Sequence, residues 1–371
     1  MAEVRQCRFV LVVGFFVLVA AMPGFSQEWK SERLVRPEML RHERGELRIL
    51  WENKFPISKS ETLKHLFILG EHIYGLSSRN YMVSLNRKTG DALLSFSGNL
   101  APAGVPVTGF DLYKNGLFTI IGDKLVEINP KSIRDRRVRR LEFGPICPAA
   151  RNESYFYIAG ADGRVHTLRS DNKLQVFEAA APADSAITSI VADPNFVVFG
   201  TDAGDVISIM PDRAKLLWKF KAGDGIVAPI VKAGNSLFVA SKDTYVYKLN
   251  TEMGSSAVWK YRAGGIPDRG PRVTQDVVYQ YVRSKGLTAI SRKGGTAMWR
   301  LGEGRDLLAE WEAKAYVITN KGTLVVMDNN KAKRLYSISC PLVSRYAANM
   351  VDSKIYIADE SGRIVCLEPV E

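Results

Sequence analysis

The sequence predicts an all-β fold built from a strand-rich unit that recurs along most of its 371 residues. Three observations support this prediction. Helical periodicity is almost absent after residue 50, turn-forming residues recur about every ten positions, and one hydrophobic pattern returns eight times. Short strands at regular spacing are typical of sandwiches, barrels and radial repeat folds. The period of the repeat distinguishes these architectures.

Each repeat is anchored by a residue, usually aromatic, in its second predicted strand. Successive anchors lie 37 to 44 residues apart, and a period near 40 with strand-like units is the range of β-propeller blades. The anchors are Tyr74, Phe118, Tyr157, Val198, Phe238, Tyr279, Tyr316 and Tyr356. We therefore predict an eight-bladed β-propeller of four-stranded blades over residues 48–371. Seven blades with an additional strand pair are the alternative.

The four strands of a blade are clearest in the fifth unit. Residues 225–233 predict its first strand, 236–241 the second, 245–250 the third and 257–265 the fourth. A polar turn, often with glycine, separates the second and third strands, as at Gly163, Gly204, Gly286, Gly322 and Gly362. Trp51, Trp218, Trp259 and Trp299 fall in fourth strands and Trp311 in a first strand. We expect these large flat rings to pack between blades.

Ring closure is predicted from the two ends of the repeat region. The last unit has three strands and lacks a fourth, whereas residues 49–55, ILWENKF, resemble an isolated fourth strand. Pairing this segment with the last strand closes the ring without a covalent bond and leaves no long exposed edge.

The amino-terminal region has the layout of an export signal. A short basic region precedes an apolar run from Phe9 to about Met22, and the small residues Gly24 and Ser26 follow. We predict a signal peptide at 1–26, a charged tether at 27–47, and export to the periplasm or the extracellular space. An uncleaved membrane anchor is the alternative, although the run is short for a span. No cysteine directly follows the apolar run, so a lipoprotein signal is not indicated.

Cysteines and histidines give little sign of catalytic or metal chemistry. Cys147, Cys340 and Cys366 would remain after cleavage, and we favour three buried thiols over a Cys340–Cys366 bridge. The four histidines, His42, His65, His72 and His166, show no metal-site spacing. There is no G-x-S-x-G elbow or P-loop. We therefore predict no catalytic residue, no cofactor and no metal.

The basic run in NPKSIRDRRVRRLEF, residues 129–143, is the most unusual local feature. The formal net charge is +12, and this run holds six bases within ten residues, opposed only by Asp135: Lys131, Arg134, Arg136, Arg137, Arg139 and Arg140. Repeat register places them in the link between the third and fourth strands of the second blade, at the outer rim. We predict contact with an acidic protein partner, a phosphate-bearing lipid or a cell-wall polymer. A solvated hairpin is the alternative.

Nucleic acid is not an expected partner. An exported protein rarely meets it, and no aromatic stacking platform interleaves these bases.

The link SLNRKTGDALLSF, residues 84–96, resembles the PQQ-type propeller repeat, in which Ser84, Asn86, Thr89, Gly90 and Leu94 occupy the motif slots. Trp218 and Trp299 lie at the repeat's tryptophan spacing from Ser208 and Ala289. The resemblance covers residues 48–371. One branch of this superfamily comprises quinoprotein dehydrogenases with an axial quinone and calcium. The other is the non-catalytic BamB-type propeller of the outer-membrane β-barrel assembly machine.

The resemblance to the BamB type implies a monomeric, non-catalytic scaffold that binds protein partners, in outer-membrane protein assembly, with peripheral membrane association possible. A binding or enzymatic propeller acting on PQQ, a sugar or cell-wall material at the axial mouth is the alternative. The quinoprotein branch is disfavoured because the chain has no adjacent cysteine pair and no acidic calcium-site pattern.

Overall fold

Eight antiparallel sheets form the ring of a β-propeller in the computed structural model, which describes residues 33–43 and 45–370. Within those residues the helical content is two short 3₁₀ turns, Pro37–Met39 and Pro182–Asp184. All eight sheets lie in one compact unit, Leu34–Glu371. The predicted all-β class and the eight four-stranded blades are confirmed.

In the first half of the ring, the strands follow one another in chain order across each sheet. Blade 1 is β3 (Leu63–Leu69), β4 (His72–Ser77), β5 (Tyr81–Asn86) and β6 (Ala92–Asn99). Blade 2 is β7 (Val107–Tyr113), β8 (Gly116–Ile121), β9 (Lys124–Asn129) and β10 (Ser132–Arg140). Blade 3 is β11 (Ala150–Arg151), β12 (Tyr155–Ala159), β13 (Arg164–Arg169) and β14 (Gln175–Ala180). Blade 4 is β15 (Ile187–Ala192), β16 (Val197–Thr201), β17 (Asp205–Ile209) and β18 (Leu216–Lys221).

The second half repeats this order until the last blade. Blade 5 is β19 (Val231–Ala233), β20 (Ser236–Ala240), β21 (Tyr245–Asn250) and β22 (Ala257–Arg262). Blade 6 is β23 (Arg272–Val273), β24 (Val277–Val282), β25 (Gly286–Ser291) and β26 (Ala297–Leu301). Blade 7 is β27 (Gly304–Trp311), β28 (Lys314–Thr319), β29 (Thr323–Asp328) and β30 (Lys333–Ser339). Blade 8 is β31 (Arg345–Ala347), β32 (Ile355–Ala358), β33 (Arg363–Val370) and the amino-terminal β2 (Gly45–Lys54), with β1 (Arg41–His42) beyond it.

The ring is closed by β2, which pairs antiparallel with β33. The register places Trp51 opposite Cys366 and Lys54 opposite Arg363. Blade 8 thus takes three strands from the carboxyl end of the chain and its fourth from the amino-terminal region. The predicted closure is confirmed, and the seven-blade alternative is wrong because ILWENKF completes a blade.

The core lies between blades, since each sheet is covered by a neighbour on both faces. Second and third strands are therefore buried on both sides, and every residue of β16 and β17 is buried. The tyrosine anchors Tyr74, Tyr157, Tyr279, Tyr316 and Tyr356 are among the largest fully buried side chains. First strands of neighbouring blades contact one another, as β3 does with β7 and β31, so they surround the ring axis.

Part of the predicted tether packs on the last blades. Leu34, Val35 and Leu40 are buried in one cluster with Tyr316 and Ile338. Leu34 is therefore buried in the core of its own chain, within the segment predicted as a charged tether. The predicted signal peptide, residues 1–26, lies outside the described residues.

The three cysteines of the ring are free, buried thiols. Burial raises the pKa of Cys147 and Cys366 to about 12 and that of Cys340 to about 11. Cys340 and Cys366 belong to different core clusters. The prediction of three buried thiols is confirmed, and the Cys340–Cys366 bridge is wrong.

These thiols are expected to be unreactive in the folded protein. At about pH 8 the thiolate fraction of a thiol with a pKa near 11 is on the order of one thousandth, and the thiolate is the nucleophile. A Cys7→Ser variant, which keeps only the three ring cysteines, is expected to resist a thiol-reactive disulfide dye and to react fully in denaturant. Rapid labelling of the folded variant would contradict the burial of these side chains.

Candidate protein-binding surface

The basic run forms the outer edge strand of blade 2. Sequence register placed it in the link before the fourth strand, but residues Ser132–Arg140 are the fourth strand, β10, itself. That detail of the prediction is wrong because the turn after β9 is short: Ser132 already pairs with Asn129. Lys131 lies in this turn. The predicted position at the outer rim agrees with an edge strand.

The basic side chains alternate between the two faces of β10. Arg137 and Arg139 lie opposite Glu127 and Leu125, whereas Arg136 lies opposite Ile128 and Arg140 opposite Lys124. Every residue from Arg134 to Arg140 is exposed. Because strand side chains alternate with a period of two, positive charge lines both faces of this edge.

Most of this charge is not neutralised by the residues that the structure describes. Arg140 contacts Asp123 with Nε 2.8 Å from Oδ2, and Arg136 donates a hydrogen bond to the carbonyl of Leu100 at 3.1 Å. Among residues 33–43 and 45–370, the side chains of four of these bases make no ion pair and no hydrogen bond: Lys131, Arg134, Arg137 and Arg139. The structure thus brings the six predicted residues together on one edge, and within the described residues Arg140 alone of the six has a countercharge.

The fourth strands hold neighbouring blades together through one recurring position, which we term the docking position. It is the fourth-strand residue paired with the middle of the third strand, as Trp218 pairs with Ser208. In blades 1 to 8 the docking positions are Leu93, Arg137, Phe177, Trp218, Trp259, Trp299, Tyr336 and Trp51.

The four tryptophans at docking positions bind the turn between the third and fourth strands of the next blade. Their indole N–H groups donate hydrogen bonds of 2.8 to 3.1 Å to the carbonyls of Arg87, Thr251 and Arg292 and to the side chain of Asn329. Three rings lie flat on glycines of these turns, where an added Cβ would approach a ring atom to 2.6 Å: Gly90, Gly254 and Gly295. The predicted packing of these tryptophans between blades is confirmed.

Blade 2 lies between the two junctions whose docking position carries no aromatic ring. Leu93 faces blade 2 from blade 1, and Arg137 takes this position in blade 2. Repeat spacing indicated Leu94 for the tryptophan slot, but the turn in blade 1 is one residue shorter. Leu93 therefore pairs with Ser84, and Leu94 is 78% exposed.

A groove of about 960 Å³ lies at the junction of blades 1 and 2. Its walls include Leu69 and Leu93 of blade 1, Leu112 of blade 2, and the turn residues Pro130 and Lys131. Pro130 occupies in blade 2 the turn position that Arg87 occupies in blade 1. Each lies three residues after the third-strand residue that pairs with the docking position of its own blade. Sequence reasoning missed this groove, although the absence of tryptophan from the fourth strand of blade 1 was a visible signal.

At the junction of blades 2 and 3 a buried charge cluster replaces the missing ring. Glu127 contacts Arg151 at 3.1 Å and Lys173 at 2.7 Å, and all three side chains are largely buried. The Arg151 guanidinium lies 4.4 Å and the Lys173 ammonium 5.1 Å from the centre of the Phe156 ring. The two bases exceed the one acid, so this junction adds to the positive charge around blade 2.

A second cavity, of about 290 Å³, lies among the first strands near the axis and is the site to which the axial-ligand alternative applies. Asp111 and Arg151 line it, with residues of blades 4 and 5. Burial raises the pKa of Asp111. In residues 33–43 and 45–370, no cluster of three or more His, Cys, Asp or Glu side chains is placed to hold a metal ion.

His166, in β13, has the surroundings expected of a structural residue. It is buried, with Nε2 3.0 Å from Asp162 Oδ2, and it stacks on Phe143 with ring centres 3.6 Å apart. In the part of the chain that the structure describes, we find no helix long and apolar enough to cross a bilayer.

Comparison with known proteins supports the architecture. A family model described as "Outer membrane protein assembly factor BamB" matches residues 161–301, from blade 3 to blade 6. The crystal structure of BamB from Moraxella catarrhalis is similar with a TM-score of 0.64 and 13% identity, over 87% of this chain and 99% of that chain. The computationally designed protein Ika8 is similar with a TM-score of 0.66 and 13% identity, over 85% and 98%.

No curated protein matches the sequence. At 13% identity, the structural likeness shows the fold alone. The match of the family model and the shared fold confirm the resemblance predicted from the sequence: this chain is a β-propeller similar to the BamB type of PQQ-like repeat protein.

Proposed function

We propose that this chain is an exported, non-catalytic scaffold that binds protein partners through the outer edge of blade 2, in outer-membrane protein assembly. The signal peptide at 1–26 directs export in this proposal, and the mature ring acts as a monomer. The single observation that carries the proposal is the basic edge of β10. Of the six bases in and beside β10, only Arg140 has an ion pair among the described residues, although β10 pairs with β9 at every position from Arg136 to Arg140.

The physical argument is charge complementarity on a rigid platform. Exposed like charges along one strand repel each other, and an acidic partner removes that repulsion while it accelerates encounter. A propeller presents such an edge at low conformational cost, because the blade is held by its neighbours. The similarity to an outer-membrane assembly factor supports the choice of process.

The proposal is tested by crosslinking in the native cell, followed by affinity capture and mass spectrometry. We expect an outer-membrane assembly protein to be recovered. Four serine substitutions in β10 are expected to lower its yield about tenfold. Each exposed ion pair contributes less than about 1 kcal/mol, and a combined loss of about 1.4 kcal/mol corresponds to a factor of ten in affinity. The substituted positions are Arg136, Arg137, Arg139 and Arg140.

A matched variant removes the same charge elsewhere. Serine is placed at four exposed lysines of blades 6 and 7: Lys293, Lys321, Lys331 and Lys333. This variant is expected to capture the partner as the wild type does. An equal loss in both variants would indicate an effect of net charge alone. Enrichment of a sugar, a quinone or a cell-wall enzyme, with no assembly protein, would instead favour a ligand in the axial cavity.

A further inference from the structure

The groove between blades 1 and 2 occupies the place where other junctions hold a tryptophan. In the blade 8–blade 1 junction, Trp51 fills the corresponding space, donates to the Arg87 carbonyl and covers Gly90. In the blade 1–blade 2 junction the shorter Leu93 leaves the space open. Pro130 of blade 2 takes the turn position that Arg87 has in blade 1. The ring therefore contains one open copy of an indole-binding site that it fills elsewhere with its own side chains.

The walls of the groove suit an aromatic ring. Leu69, Leu93 and Leu112 supply apolar surface on both blades, and the anchor Tyr74 also contributes. Aromatic side chains that enter such pockets are the residues that most often dominate the affinity of protein–protein interfaces.

The rim of the groove is positively charged once internal pairs are considered. Two of its three acidic members are paired with bases: Glu127 with Arg151 and Lys173, and Glu71 with Lys88 at 3.5 Å. Asp135 accepts a hydrogen bond from the neutral Asn129 amide and keeps its charge, which is outnumbered by Lys131 and Arg137. The basic members Lys131 and Arg137 have no ion pair among the described residues, and the rest of β10 continues the positive surface. A ligand with negative charge beside its aromatic ring complements this arrangement.

We propose that the groove receives an aromatic side chain from an acidic segment of the partner protein. The proposal rests on the proposed scaffold function and names the chemistry of its partner. The segment lies along β10, its carboxylates face the unneutralised arginines, and its ring enters between Leu93 and Pro130. The ring supplies most of the specificity, and the charges supply long-range attraction.

The direct test uses purified full-length protein and a dye-labelled acidic peptide of about twelve residues with one central tryptophan. Fluorescence anisotropy is expected to show saturable binding that weakens as ionic strength rises. Replacing the peptide's tryptophan by alanine is expected to weaken binding about tenfold, because the ring carries the apolar contact. Equal binding of both peptides would overturn the proposal.

A substitution in the protein, and not in the peptide, tests the same site. Leu93→Trp supplies the ring that the other junctions already have, so it is expected to fill the groove, raise the melting temperature and weaken peptide binding about tenfold. Leu94→Trp, at the exposed neighbouring position, is the matched control and is expected to leave binding unchanged. Unchanged affinity in a folded Leu93→Trp variant would overturn the proposal.

The two proposals fail in different ways. If the peptide does not bind but vesicles with anionic phospholipid do, the blade 2 surface is a lipid contact and the groove proposal is overturned. If both peptides bind equally and the serine variant of β10 binds neither, the groove proposal is overturned while the charge-based scaffold stands. Absence of any protein crosslink in the cell overturns the scaffold itself, whatever the peptide shows.

Discussion

Replacing Trp51 by alanine is expected to lower the free energy of unfolding by about 3 to 5 kcal/mol, the range measured for large aromatic residues in cores. Trp51 is 8% exposed and joins the two ends of the chain at the ring closure. Its ring covers Gly90, and its N–H donates to the Arg87 carbonyl at 3.0 Å. The substitution removes both contacts and leaves a cavity at the closing junction.

Urea unfolding followed by fluorescence or circular dichroism measures this effect. Leu94→Ala is the control, because this side chain is 78% exposed, and a change within about 0.5 kcal/mol is expected. Trp299→Ala removes a comparable contact, between blades 6 and 7. A loss below about 1 kcal/mol for Trp51→Ala would contradict the view that this indole holds the ring closed.

Replacing Gly286 by alanine is expected to destabilise the protein by more than about 3 kcal/mol, through backbone strain combined with a steric clash. Gly286 has φ of +77°, and an added Cβ would lie 2.2 Å from the carbonyl oxygen of Leu301. The atoms that the new Cβ meets are backbone atoms of Leu301 and Gly302 in blade 6, so no side-chain rotation relieves the clash. Thermal or urea unfolding measures the loss.

Gly104→Ala separates the two causes. Gly104 has φ of +85° but no atom within 4 Å of an added Cβ. It therefore reports the cost of the left-handed backbone alone, about 1 to 2 kcal/mol. Equal effects at the two glycines would mean that the turn at Gly286 shifts to accommodate the methyl group.

Because the blades repeat one plan, the positions that depart from it indicate where the ring is specialised. Eight blades share one plan, and an aromatic ring fills six of the eight docking positions. The two departures, Leu93 and Arg137, flank the blade that also carries the basic edge strand. Three unusual features thus coincide at one place in a ring that is otherwise regular, which is the pattern expected when a scaffold has one specialised surface.

Much of the fold was readable from the sequence because its signals are local. The glycines predicted at strand turns, such as Gly163 and Gly362, have positive φ as tight hairpins require. The third strand predicted at 245–250 is Tyr245–Asn250. The first strand predicted at 225–233 shortens to Val231–Ala233, since apolar character alone does not report where pairing starts.

The site was only half predictable. Six bases in one run identified the charged surface, but their assignment to a link was wrong because turn length decides where a strand begins. The unpaired state of Arg137 and the pairing of Glu127 with Arg151 and Lys173 depend on residues from different blades. Such contacts have no signature in sequence spacing.

The sequence by itself determined the period, the number of blades and the closing strand, because alternation, turn residues and repeat length act over short distances. Tertiary structure alone decided which junctions are filled. In the sequence, nothing distinguishes Leu93 from other leucines in strands. The structure shows that it faces Pro130 across an open groove. Likewise, the sequence places Leu34 in a charged segment, and only the structure shows that it is buried against the last blades. Packing between distant segments depends on shape and volume, and a one-dimensional pattern carries neither.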